Sequence, residues 1–127
     1  MQDKHLFEYA VIRVVPRVER EEFLNVGIIL YCRAKKFLNC TYQLDTQKLQ
    51  VLCSTLDCGD VEGHLRSFEQ ICQGEKGSSP IAVLDIASRF RWLTATRSTI
   101  VQSSKVHPGF CTDPAQTLQK LFEKLVL

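Results

Sequence analysis

The sequence has no apolar run approaching the ~18 residues that a membrane span needs, which excludes a spanning helix. Its start, Met1-Gln2-Asp3-Lys4-His5, lacks the basic patch and long apolar stretch of a secretory signal, so a cytoplasmic protein without membrane contact is expected. Charge of one sign is also missing. Sixteen Lys and Arg against fourteen Asp and Glu leave +2, too small a balance to announce a nucleic-acid or membrane surface. No glycine-rich phosphate loop, Gly-x-Ser-x-Gly elbow, Cys-His signature or metal-binding histidine pair is present, so no cofactor is implied and an enzymatic activity lacks named catalytic residues. Short-spaced cysteine pairs are absent too. Cys53 and Cys58, with His64 further on, form the only arrangement resembling ligand spacing, and no metal is expected from it.

What is present is an ordinary soluble composition, 45% hydrophobic and 24% charged in 127 residues, consistent with one domain over residues 1–127. A chain of this length buries roughly two thirds of its unfolded surface. The six cysteines fall mostly among apolar residues in predicted strands and helices, which reads as free buried thiols.

Phe7 to Val15 is rich in β-branched and aromatic residues and stops at Pro16, so it reads as a central strand. Val26–Cys32 and Phe37–Leu44 follow, giving an antiparallel meander with a long charged connection, Arg17–Asn25, of the kind that often carries function. Asp45 is placed to cap a helix carrying Leu49, Leu52, Cys53 and Leu56, and Asp60 to cap a second one through Cys72, ended by Gly74. Ser79-Pro80 predicts a third helix to Arg91 or Trp92, Ser98–Ser103 a fourth strand, and Lys105–Gly109 a loop with two helix breakers. Asp113-Pro114-Ala115-Gln116 opens a last helix with Leu118, Leu121, Phe122 and Leu125 as its stripe. The expected fold is α+β, order βββαααβα, a mainly antiparallel four-stranded sheet with helices packed on one face.

Tyr9–Pro16, Arg20–Gly27, Phe90–Ala95 with Arg97-Ser98-Thr99, and His107-Pro108-Gly109 with Asp113-Pro114 together resemble a bacterial family, domain of unknown function 3037. Several separated motifs agree in order, whereas residues 43–89 carry little that is distinctive. Members of that family are often encoded beside a HipA-like kinase. The resemblance therefore implies an accessory or antitoxin-like partner of such a kinase, an inference from association rather than mechanism.

Two clusters are candidate binding sites. The first is Arg13, Arg20, Glu21, Glu22 and Asn25. A guanidinium within an apolar strand needs a carboxylate or bound anion. Either Glu21 or Glu22 pairs with Arg13 and pins the loop, or Arg13 and Arg20 form a fork for a phosphate or carboxylate with Asn25 completing the donors. The second is Arg89, Arg91, Trp92, Arg97, Ser98, Thr99 and Gln102. It reads either as a nucleotide or single-stranded nucleic-acid grip with stacking on the indole, or as a helix end in which Trp92 anchors in the core beside solvated arginines. His107 is the best-placed histidine, expected in a loop before a helix N-terminus.

Three functions are thus in view. The leading one is a partner-binding module whose surface joins the Arg20–Asn25 loop to the Arg91–Gln102 segment. The alternative is a phosphate-handling enzyme or a nucleotide or RNA binder using the same arginines. The third is a homo-oligomer joined through an exposed edge strand.

Overall fold

The computed structural model describes residues 3–97 and 99–127. Strands β1 (His5–Val14), β2 (Leu24–Cys32) and β3 (Phe37–Tyr42) form the expected antiparallel meander, with Ala10 opposite Ile29 and Ile29 opposite Cys40. β1 is central, as its composition predicts. Its second edge is shared by two short strands placed end to end: β4 (Val101–Ser103) pairs with Ile12–Val14, and β5 (His107–Cys111) pairs with His5–Tyr9. The sheet therefore has five strands rather than four, and every pairing is antiparallel.

His107-Pro108-Gly109 is strand, not loop, for two local reasons. Val11 and Val15 turn their N–H groups toward the β4–β5 side, bonding Ser104 Oγ at 2.8 Å and the Ile100 carbonyl at 2.7 Å. By the alternation of an antiparallel ladder, the β5 residues that bond inward are then those opposite Tyr9 and Phe7, and Pro108 faces outward, where no ladder bond is lost. Gly109 fits because the Phe7 ring lies over it, 2.6 Å from where a Cβ would stand. Ser104 bridges the gap between β4 and β5. It is buried, its N–H bonds the Val11 carbonyl at 2.9 Å, and its hydroxyl accepts from Val11 N–H.

The helices differ from expectation at their ends. α1 (Thr46–Leu52) is capped by Asp45, whose carboxylate accepts from the N–H groups of Gln47 and Lys48, and it stops at Leu52, before Leu56. α2 (Cys58–Gln73) begins earlier than predicted because Asp57, not Asp60, is its cap, and it ends at Gly74 with φ of 68°. The single helix expected from Pro80 is broken. A 3-10 turn, Pro80–Val83, is capped by Ser79. Leu84 is extended, and Asp85 then caps α3 (Ile86–Leu93) by accepting from Ser88 N–H at 2.9 Å. A second capping side chain inside the stretch restarts the helix. α4 (Pro114–Leu125) follows Asp113 as the sequence predicts.

Helices cover both faces of the sheet, which corrects the one-face expectation. Ala10, Ile12, Val14, Ile29 and Tyr31 pack with Leu49 of α1, Leu65 of α2 and Phe90 of α3. On the other face Phe7, Val11, Ile28, Leu30 and Cys32 pack with Leu118 and Phe122 of α4. Between Ile12 opposite Gly27 and Arg13 opposite Asn25 the register skips Val26, a bulge that turns Val26 into the three-helix core. Gly27 beside it has no room for a side chain: a Cβ would collide with the Thr41 carbonyl and lie 2.7 Å from the Tyr42 Cβ.

Candidate functional site

The two sequence clusters come apart into several separate places. Arg13, Asn25 and Gln102 share one cross-strand row, since Arg13 pairs with Asn25 on β2 and with Gln102 on β4. They lie on the α4 face, beyond the core formed by Phe7 and Val11. Arg13 has no carboxylate partner among the described residues. Its guanidinium carbon sits 4.1 Å from the centre of the Phe23 ring, a cation–π contact, and its buried Nε is unpaired. Asn25 donates to the Leu125 carbonyl near the end of α4 at 3.4 Å, leaving its Oδ1 unpaired. Gln102 donates to the Thr99 carbonyl at 2.8 Å.

Arg20 and Glu22 form an ion pair with each other on the loop after a 3-10 turn, Val18–Arg20. Glu22 is thus engaged by Arg20, and Glu21 is exposed with φ of 57°. The pair lines a pocket of about 210 Å3 with Arg17, Cys53 and Thr55. There the Thr55 hydroxyl, 3.4 Å from Cys53 Sγ, draws the thiol below its ordinary range, helped by Arg17.

In the second cluster, Arg91 Nη2 donates to both carboxylate oxygens of Glu8 at 2.7 and 3.0 Å. Trp92 does not anchor the core, which α3 fills with Phe90 and Leu93. It is 38% exposed, and Arg97 stacks on its ring at 3.7 Å while bonding its carbonyl. Arg89 donates to the Leu84 carbonyl at 2.6 Å, and Thr99 to the Val101 carbonyl at 2.7 Å. Ser98 lies outside the described residues. His107 opens β5 and stacks on Tyr9 at 5.3 Å, on the strand rather than at a helix N-terminus. The Arg20 loop and the Arg97 segment reach the same end of the sheet, joined by the Val15–Ile100 backbone bond, but their charged side chains go to separate neighbours.

The largest of the concavities described among these residues, about 1010 Å3, is not one that sequence reasoning singles out. Leu6, Tyr31, Ile86 and Ala87 give it apolar surface, Arg33 and Lys36 of the β2–β3 turn form one bank, and Glu8, Arg91 and Asp85 the other. The signal that pointed there is the strand period, which puts Leu6 and Glu8 on the face of Ala10 and Ile12. Leu6 is 54% exposed, and its cross-strand neighbour on β5, Phe110, is 69% exposed. Asp85 is held below the usual carboxylate range by the Ser88 hydroxyl and N–H. No three or more His, Cys, Asp or Glu come close enough to hold a metal ion among the described residues.

A family model described as a protein of unknown function (DUF3037) matches residues 9–126, nearly the whole chain. The chain belongs to the DUF3037 family. No curated protein and no solved structure matches it. The matched span starts at Tyr9, where β1 pairs with His107 of β5, and the rest of the Tyr9–Pro16 motif runs on past β4, which pairs with Ile12–Val14. Among the described residues of this DUF3037 domain, no helix is long and apolar enough to cross a membrane.

Proposed function

We propose that this DUF3037 domain is a protein-binding accessory module, antitoxin-like or regulatory, and that its partner is a HipA-like kinase of the sort encoded beside members of the family. The observation that carries this reading is apolar surface left in the open. Leu6 and Phe110 stand exposed side by side on β1 and β5, and Leu6 lines the groove of about 1010 Å3. Exposed apolar groups gathered beside a groove and rimmed by charge are the usual mark of a protein interface. Several carboxylates that a catalytic reading would use are engaged in holding the fold: Asp45, Asp57, Asp85 and Asp113 cap helices, and Glu8 and Glu22 pair with arginines.

The competing reading, a nucleotide or RNA grip on the arginines, has less support. The exposed indole of Trp92 has Arg97 stacked on it, and Arg91 is committed to Glu8. A tagged pull-down from the native host at low and moderate salt, with mass spectrometry for protein and absorbance for nucleic acid, separates the two. A stoichiometric kinase retained at moderate salt is the expected result. Nucleic acid released by salt, as counterion release requires, or an empty eluate overturns it.

A further inference from the structure

We infer that the groove between α3 and the β2–β3 turn is the docking site for a short acidic segment of a partner protein that carries one apolar anchor side chain. This rests on the partner-binding reading above and adds where the partner sits and what chemistry it presents. The argument begins with charge. Arg33 and Lys36 stand on one exposed turn, closed by the Lys36 N–H to Arg33 carbonyl bond at 3.0 Å, and neither has a carboxylate partner among the described residues. The groove's own acids do not compensate them. Glu8 is taken by Arg91 on its own bank, and the Asp85 carboxylate is turned to the backbone N–H of Ser88. A segment lying in the groove therefore meets two unmatched cations on one bank, which favours Asp or Glu there and penalises Lys or Arg.

Apolar surface supplies the second half of the argument. Leu6 is half-exposed at the groove beside Ile86 and Ala87, so an aliphatic or aromatic side chain inserted there removes apolar area that the chain cannot cover by itself. Addition of a strand to β5 is a poorer route. Pro108 faces that free edge and offers no N–H, so recognition falls to side chains in the groove. Another exposed apolar surface, around Phe23, Val51 and Leu127, is lined by one cation, Lys48, and two acids, Asp45 and Glu22, so it offers an acidic segment no unmatched cations.

The test selects a displayed library of random peptides against the full chain and against Arg33→Glu/Lys36→Glu, whose substitutions lie on an exposed turn. The wild-type chain is expected to enrich peptides with acidic residues flanking a Leu, Ile or Phe. The double variant should bind these about tenfold more weakly and select basic peptides instead, a gain that an unfolded protein would not show. Val51→Asp should leave the selection unchanged. Enrichment without acidic residues, no enrichment at all, or peptides lost on Val51→Asp but retained by the double variant overturns the groove assignment. Kinase co-purification with the double variant separates the two levels of the claim. A kinase retained undiminished sinks the groove and leaves the partner reading standing, whereas a kinase absent even from the wild-type eluate sinks that reading.

Discussion

Ser104 shows how much one hydroxyl can hold. It occupies the break between β4 and β5, where a continuous strand would offer Val11 N–H a carbonyl, and it accepts that bond at 2.8 Å while donating to the Lys105 carbonyl at 2.9 Å. Ser104→Ala keeps the volume nearly constant but strands a buried N–H in the central strand, so a loss of about 1–3 kcal/mol is expected in urea unfolding. A change near zero would mean that Val11 finds another acceptor. Cys53 carries a different kind of prediction. A Thr55 hydroxyl and Arg17 both favour its thiolate, and it is only partly buried. As pH rises it ionises earlier than an ordinary thiol, so its alkylation reaches half its maximal rate at lower pH than free cysteine does, and Thr55→Val moves that midpoint upward. Equal midpoints in the two proteins would remove Thr55 as the cause.

At the scale of elements, the edge strand β5 is guarded by Pro108. Pro108→Thr restores an outward N–H beside exposed Phe110 and Leu6, and the expected consequence is self-association that grows with concentration in sedimentation or sizing experiments. A variant that stays at the wild-type size across the range would show that the edge is protected by something else. The same strand marks where sequence and structure part. Capping pairs with a single competitor were legible: Asp45 and Asp113 start α1 and α4, and Gly74 ends α2. Where two capping residues lie close together, spacing points to Asp60 although Asp57 is the cap, or hides the second cap, as with Asp85 inside one expected helix. Pro and Gly in β5 look like breakers until the ladder's parity is known, and parity depends on pairing with β1, which is distant in sequence. The second covered face was signalled all along. Val26–Cys32 is apolar at nearly every position rather than alternating, as a strand buried on both sides must be. Arg13 in its apolar strand has the Phe23 ring as its neighbour rather than the expected carboxylate, and local spacing does not distinguish the two.

On the scale of the whole molecule, the two cores lie on opposite faces of the sheet, and each holds buried thiols. Cys40 and Cys72 lie in the three-helix core, Cys32 and Cys111 in the core under α4. Cys72 is pushed well above an ordinary thiol by the neighbouring Cys40 sulfur and by burial, and Cys111 is pushed up by burial and by Cys32, so both are protonated and inert at neutral pH. All four of these thiols are buried, so their modification is expected to follow exposure by unfolding. Because β1 contributes side chains to both cores, opening one face exposes residues that the other face needs, and the two should open together. Pulsed labelling of these four cysteines in increasing urea is therefore expected to give one free energy, equal to that from hydrogen exchange of the β1 amides, while Cys53 reacts without unfolding. If Cys111 becomes reactive at lower urea than Cys72, α4 detaches separately and the sheet does not couple the two cores.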